Sequence, residues 1–132
     1  MNIDKIYVIK DSPKSLADKC LSAFLGRKPT INDLPINPFK ILVKFKAYYV
    51  ILNFDKLEGY YIPPDGNKPA IVGININSDI NRQRFSAAHE LCHHLKDQDK
   101  GSPLITLQNS NDHTEKYANS FAAELLMPLD IL

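Results

Sequence analysis

The sequence has few cysteines and little net charge. Only two cysteines, Cys20 and Cys92, occur among the 132 residues, whereas domains held together by disulfides are dense in cysteine. The formal net charge at pH 7 is +1, so no strong overall field draws the chain to DNA, RNA or an anionic membrane. No helix-turn-helix signal is present either, and we predict no direct nucleic-acid binding.

Long apolar runs are also missing. A membrane-spanning helix needs about 20 mostly apolar residues, and no run reaches that length. The N-terminal stretch MNIDKIYVIKD carries charges at Asp4, Lys5 and Lys10, unlike the apolar centre of a signal peptide. We therefore predict a cytoplasmic protein without a membrane partner, folded as a single domain over residues 1–132.

The first third of the chain has the start and stop signals of two helices. Ser12 and Pro13 suit the N-cap and first position of one helix, and Gly26 is placed to end it. Asn37 and Pro38 give the same start signal for a short second helix.

The middle of the chain predicts a sheet. Three segments are rich in β-branched and aromatic residues, which favour strands: AYYVILNF, EGYYI and AIVGININ. The turn signal PPDGNKP separates the last two. We expect a small antiparallel three-stranded sheet in an α+β domain. A helix from about Ser78 or Asp79 to Asp97, a polar loop and a final helix from near NSND to before Pro128 complete the prediction.

The stretch HELCH raises the question of a metal site. A helix turns about 100° per residue, so His89 and His93 lie one turn apart and can hold one Zn²⁺ between them. Glu90 points elsewhere but can reach water at the metal, as a general base should. The alternative is an ordinary helix with two histidines. Cys92 falls on the core face, and His94 is expected in solvent opposite it.

A catalytic zinc site usually needs a third protein ligand. The final helix offers Glu115 and Glu124, and helical phase places Glu115 on the inward face of small residues. A buried salt bridge or a helix-start role for Glu115 are the alternatives. An extended HExxHxxGxxH arrangement is disfavoured because Lys96 and Asp99 stand at its glycine and last histidine positions.

Several further polar residues are candidates for the surroundings of the site. Asn119, four residues after Glu115, could hydrogen-bond a ligand histidine, or could simply pack. His113 has the wrong helical phase for a ligand and is more suited to the rim. An oxyanion-stabilising residue is also required, and the sequence leaves Tyr117, His113, Tyr61 and Arg84 as candidates.

Two paired motifs resemble those of the ImmA/IrrE family of zinc metallopeptidases. RQRFSAAHELCHHL resembles its zinc helix, and EKYANSFAAELLMP resembles the helix that follows. LPINPFKIL and GININ also match, so the resemblance covers about Leu34 to Pro128. It implies that His89, His93 and Glu115 bind one zinc ion and that Glu90 is the catalytic base.

The resemblance also implies a biological role. It implies a cytoplasmic, site-specific endopeptidase that cleaves a helix-turn-helix repressor of a mobile element, phage or stress regulon and so acts as an anti-repressor. Cys92 stands where the family often has glycine. The chain stops at Leu132, where members usually continue, which indicates either a short member or a missing C-terminal part.

The sequence leaves two alternatives to a peptidase. The zinc could be structural, in a module that binds or sequesters a transcriptional regulator. Alternatively, His89, His93 and Glu115 could form a polar network without metal. Metal content and a Glu90→Gln variant separate these hypotheses.

Overall fold

The computed structural model describes residues 6–107 and 112–131. These residues form four α-helices and four β-strands, with three short 3-10 helices between or after them. In chain order the main elements are α1 (Pro13–Leu25), α2 (Pro38–Lys44), β1 (Ala47–Leu52), β2 (Leu57–Ile62), β3 (Ala70–Asn75), α3 (Ile80–Lys96), β4 (Leu104–Leu107) and α4 (His113–Leu126). None of the helices described has both the length and the apolarity needed to cross a bilayer.

The predicted helix signals are confirmed. The Ser12 side chain accepts a hydrogen bond from the Ser15 N–H at the start of α1, and Gly26 ends that helix with φ 73°. This left-handed conformation is one that glycine adopts without steric cost. Asn37 caps α2 through its side chain, and Pro38 is the first residue of that helix.

The sheet differs from the prediction of three antiparallel strands. It has four strands in the order β1-β3-β2-β4, and β1 runs parallel to β3. The other neighbouring pairs are antiparallel. The fourth strand, β4, lies in the segment predicted to be a polar loop. Its four residues are too few to show a period of two, and pairing with β2 defines it.

α3 is the central helix of the fold. It packs against α2, α4, β2 and β3, so ten consecutive residues, from Ser86 to Leu95, are buried. Asp79 caps its N-terminus by accepting from the Arg82 N–H. α3 therefore carries His89 and His93 into the interior of the domain.

α4 packs against α3 and α1 and brings Glu115 to the same place. Ala118 and Ala122, both fully buried, allow close approach of the helices. Asp112 caps the start of α4, and the helix ends at Leu126, before Pro128, as predicted. The rest of the predicted start, residues 109–111, lies outside the described part of the chain.

Candidate metal centre

Two histidines of α3 and one glutamate of α4 point into the same buried place. Nε2 of His89 lies 2.6 Å from Oε2 of Glu115, and Nε2 of His93 lies 3.1 Å from Oε1 of Glu115. Each residue offers one ligand atom, and these atoms all lie within 4.8 Å of one another. The three residues could therefore hold a metal ion.

A hydrogen bond to Asp97 sets the orientation of the His93 ring. Nδ1 of His93 lies 2.9 Å from Oδ2 of Asp97, and an ionised carboxylate can only accept, so Nδ1 carries a proton. Burial alone lowers the pKa of His93, but the hydrogen bond to Asp97 and the nearby carboxylates of Glu115 and Glu90 outweigh it and raise this pKa to about 9. The site therefore favours positive charge at Nε2, supplied by a proton or by a metal ion.

The His89 ring is held in a similar way by α4. Its Nδ1 atom lies 2.8 Å from Oδ1 of Asn119, so Nδ1 donates and Nε2 is directed at Glu115. Burial raises the pKa of Glu115, but the hydrogen bond with His89 and the charge of the nearby His93 ring outweigh it and hold that pKa below its usual range. Glu115 is thus ionised at neutral pH, as a carboxylate ligand must be.

The donor set fits a divalent metal ion. Two imidazole nitrogens and one carboxylate oxygen make up a ligand set known from catalytic zinc sites. Ligand atoms about 2.1 Å from a tetrahedral ion lie about 3.4 Å apart, close to the 3.1 Å between His93 and Glu115. Nε2 of His93 is buried, and its 3.1 Å approach to Oε1 of Glu115 lacks the geometry of a hydrogen bond. A metal ion would give this atom a partner.

Glu90 lies beside these ligand atoms and is completely buried. Thr106 on β4 donates from Oγ1 to Oε2 of Glu90 at 2.8 Å. The other oxygen, Oε1, has no hydrogen bond within the described part of the chain. Burial raises the pKa of Glu90, and the charges of His89 and His93 offset part of this rise. A carboxylate in this state can take a proton from water and release it again.

Gly59 on β2 has no side chain, and this leaves room for the Glu90 carboxylate. A Cβ atom at Gly59 would lie 3.1 Å from Oε2 of Glu90 and 2.7 Å from the carbonyl oxygen of Gly73. A side chain at position 59 would therefore displace Glu90 or push β2 away from β3. A glycine inside a strand is typical of such close approach.

A small cleft opens beside Glu90 and His89. Its volume is about 20 Å³, which is about the room that one water molecule needs. Glu58 and Arg82 also line it and form an ion pair of 3.1 Å. The cleft therefore has room for about one water molecule beside Glu90.

Most of the predicted oxyanion candidates have partners elsewhere. The Tyr117 hydroxyl donates to the Asp11 carbonyl at 2.9 Å, and the Arg84 guanidinium donates to the Ile36 carbonyl at 2.7 Å. His113 is the exposed first residue of α4. None of the three candidates lines the cleft beside Glu90.

Glu124, the other candidate on the final helix, and Asp99, at the last position of the extended motif, lie apart from the cluster. Asp99 is exposed in the short helix Gln98–Lys100, and Glu124 is half-buried near the end of α4. Among the described residues, the ligand cluster takes Glu115 as its only carboxylate.

The prediction that His94 is solvated is wrong. Only 2% of His94 is exposed, because α3 has neighbours on every side and no solvated face at this point. Nε2 of His94 lies 2.7 Å from the Phe45 carbonyl oxygen, which can only accept. Nδ1 of His94 forms a second hydrogen bond, with the Tyr61 hydroxyl 2.8 Å away.

Sequence reasoning missed three residues that contact the site. Asp97 follows His93 by four positions, a spacing that places two side chains side by side on a helix. Gly59 stands alone in a predicted strand, which also was a usable signal. Thr106 gave no signal, because only the pairing of β4 with β2 brings it to Glu90.

The comparison with known families decides the identity. The family model for the IrrE N-terminal-like domain, Peptidase_M78, matches residues 46–132, about two thirds of the chain. The chain belongs to this family. The predicted ImmA/IrrE membership is thus confirmed, although residues 34–45 of the resemblance precede the matched range. Membership of a peptidase family points to a metallopeptidase with a protein substrate. No curated protein matches the chain significantly.

Proposed function

We propose that the protein is a zinc-dependent endopeptidase with one metal ion per chain. The observation that carries the proposal is the convergence of His89, His93 and Glu115 beside the buried carboxylate of Glu90. A second acidic residue that is held near the ligands, but does not belong to them, is what a hydrolytic metal site needs as a proton acceptor.

The chain's own residues would prepare the site. His89, His93 and Glu115 would hold the ion, and Asp97 and Asn119 would fix the two imidazole rings. The bound ion would supply a Lewis acid that lowers the pKa of water and polarises the scissile carbonyl.

Glu90 would handle the proton. Thr106 fixes Oε2, so Oε1 is the oxygen left to accept a proton from the attacking water. Glu90 would then deliver this proton to the leaving amine as the peptide bond breaks. Its raised pKa suits both steps, because a base that binds the proton too weakly cannot carry it.

The substrate proposed is a helix-turn-helix repressor, whose cleavage would relieve repression. This part rests on the resemblance of the motif pair and on membership of the family. A natural first candidate is a repressor encoded beside the protein.

The test uses Glu90→Gln, which keeps the shape of the side chain and removes the base. The zinc-loaded protein should cleave the repressor, detected as two fragments by mass spectrometry. Glu90→Gln should bind zinc normally and cleave about 100 to 10,000 times more slowly, the range for one general base. Repressor inactivation that survives in Glu90→Gln without fragments would instead establish a sequestering module.

A further inference from the structure

β1 is an edge strand with an unusual surface. Tyr48, Tyr49, Val50, Ile51 and Leu52 are all exposed, with relative accessibilities between 38% and 64%. In the described part of the chain no strand pairs with its outer side. Natural proteins usually protect such edges with charges, prolines or bulges, because an apolar edge recruits another strand. β1 has none of these within its length.

The backbone of β1 is also free on this side. The Leu52 carbonyl accepts from the Ile76 N–H at 2.9 Å, so Leu52 faces β3. Backbone groups alternate in direction along a strand. The N–H and C=O groups of Tyr49 and Ile51 are therefore turned outward, where an added strand could reach them.

A cleft adjoins the same edge. It has a volume of about 330 Å³ and is lined by Phe39, Val43 and Tyr49 with Asn37 and Lys40. The Phe39 and Tyr49 rings contact each other, with centroids 4.9 Å apart. An apolar side chain of a strand that pairs with Tyr49 would enter this cleft.

The chain segment that carries the edge is basic. From Leu34 to Phe54 the only charged residues are Lys40, Lys44 and Lys46. All three are exposed, and none forms an ion pair with a carboxylate in the described ranges, in contrast to Lys14 and Lys19 of α1. A second copy pairing through this edge would bring another stretch without acidic residues.

We propose that the β1 edge is a docking site for an extended segment of a partner protein that combines apolar and acidic side chains. The segment would add to the sheet as a fifth strand through the outward groups of Tyr49 and Ile51. It would place an apolar side chain in the cleft and carboxylates near Lys40, Lys44 and Lys46. This site is separate from the metal centre, because β1 and β4 form opposite edges of the sheet.

The test measures binding of two fluorescein-labelled peptides by fluorescence anisotropy. One has the sequence Glu-Asp-Val-Phe-Val-Asp-Glu, and the other has lysine in place of every acidic residue. The full chain should bind the acidic peptide and not the basic one. A chelator should leave this binding unchanged, so the result does not depend on whether the metal centre is catalytic.

Two variants examine the mechanism of docking. Ile51→Pro removes one outward N–H, a position where an edge strand tolerates proline, and should weaken binding about tenfold, the order expected for one hydrogen bond. The double variant Lys40→Glu and Lys44→Glu should abolish binding, whereas Lys116→Glu on α4 is the control and should not change it. Circular dichroism would verify that each variant is folded.

Three results would overturn the proposal. The first is equal binding of both peptides, or equal binding by the variants and the control. The second is no binding of the acidic peptide at millimolar concentration. The third is a dimer in light scattering that Ile51→Pro converts to a monomer, since a second copy would then cover the edge.

Discussion

The candidate metal centre and the β1 edge both depart from the usual distribution of polar and apolar groups, in which polar groups are exposed and apolar groups are buried. At the metal centre, His89, Glu90 and His93 are buried, although burial of ionisable groups is costly without partners. At the edge, five consecutive apolar or aromatic residues are exposed, although a contiguous apolar patch usually marks an interaction site. Among the described residues, Oε1 of Glu90 has no hydrogen-bond partner, and the outer side of β1 has no neighbouring strand.

The difference lies in how closely each region is organised. In the buried region, hydrogen bonds to Asp97 and Asn119 fix the two histidine rings before anything binds. The edge offers only a row of backbone groups, a cleft and nearby lysines, which suit many sequences of one general type. We therefore expect substitutions at the centre to have large, specific effects and substitutions at the edge to have small effects on folding.

The largest effect is expected for Glu115→Ala. Loss of the acidic ligand proposed here should weaken zinc binding by more than about 100-fold, beyond the range seen for residues behind the ligands. Elemental analysis of the purified protein and a competition titration with a chelator would measure this. Glu124→Ala on the same helix is the matched control and should retain one zinc per chain. Equal metal content in both variants would contradict the three-ligand site.

Much of the fold could be predicted from local signals. Ser12, Gly26 and Asn37 set helix ends through contacts with residues close in sequence, so their roles are visible without the structure. The strand order could not be predicted, because the parallel pairing of β1 with β3 depends on long-range packing. The same holds for β4, whose four residues acquire their conformation from β2.

The candidate site was predictable to a similar degree. Helical periodicity placed His89 and His93 together beside the core face of one helix and Glu115 on the inward face of another. It failed for His94, because periodicity assumes a solvated face and α3 is enclosed at that point. Thr106 could not be found either, because a threonine in a short segment has no periodic pattern that would relate it to Glu90.

A smaller effect is expected for Asp97→Ala. Without Asp97 the His93 ring loses the hydrogen bond that fixes its orientation, and zinc affinity should fall about 10- to 100-fold. Asp97→Asn keeps an acceptor and should recover most of this loss. The exposed neighbour Asp99 provides the control, Asp99→Ala. If zinc affinity is the same in Asp97→Ala and Asp99→Ala, the contact between Asp97 and His93 does not support the site.

Thr106→Val should affect catalysis and leave metal binding intact. The substitution keeps the shape of the side chain but removes the hydroxyl that holds Oε2 of Glu90. A lost hydrogen bond of about 1 kcal/mol corresponds to about a fivefold lower kcat. Single-turnover cleavage would measure it, with zinc titration as the control readout. A fall in zinc affinity with unchanged kcat would assign Thr106 to the ligands instead.

The smallest effects compare one side-chain type in the two regions. Tyr61→Phe removes the buried hydrogen bond to His94 and should lower the free energy of unfolding by about 1 to 3 kcal/mol. Tyr48→Phe removes a hydroxyl from a residue that is 64% exposed and should change it by less than about 0.5 kcal/mol. Urea unfolding of both variants measures the difference. The effect at Tyr48 should be small because a hydroxyl in solvent can exchange its hydrogen bond for one with water at little cost. Equal destabilisation by both substitutions would mean that the exposed edge is as closely organised as the interior.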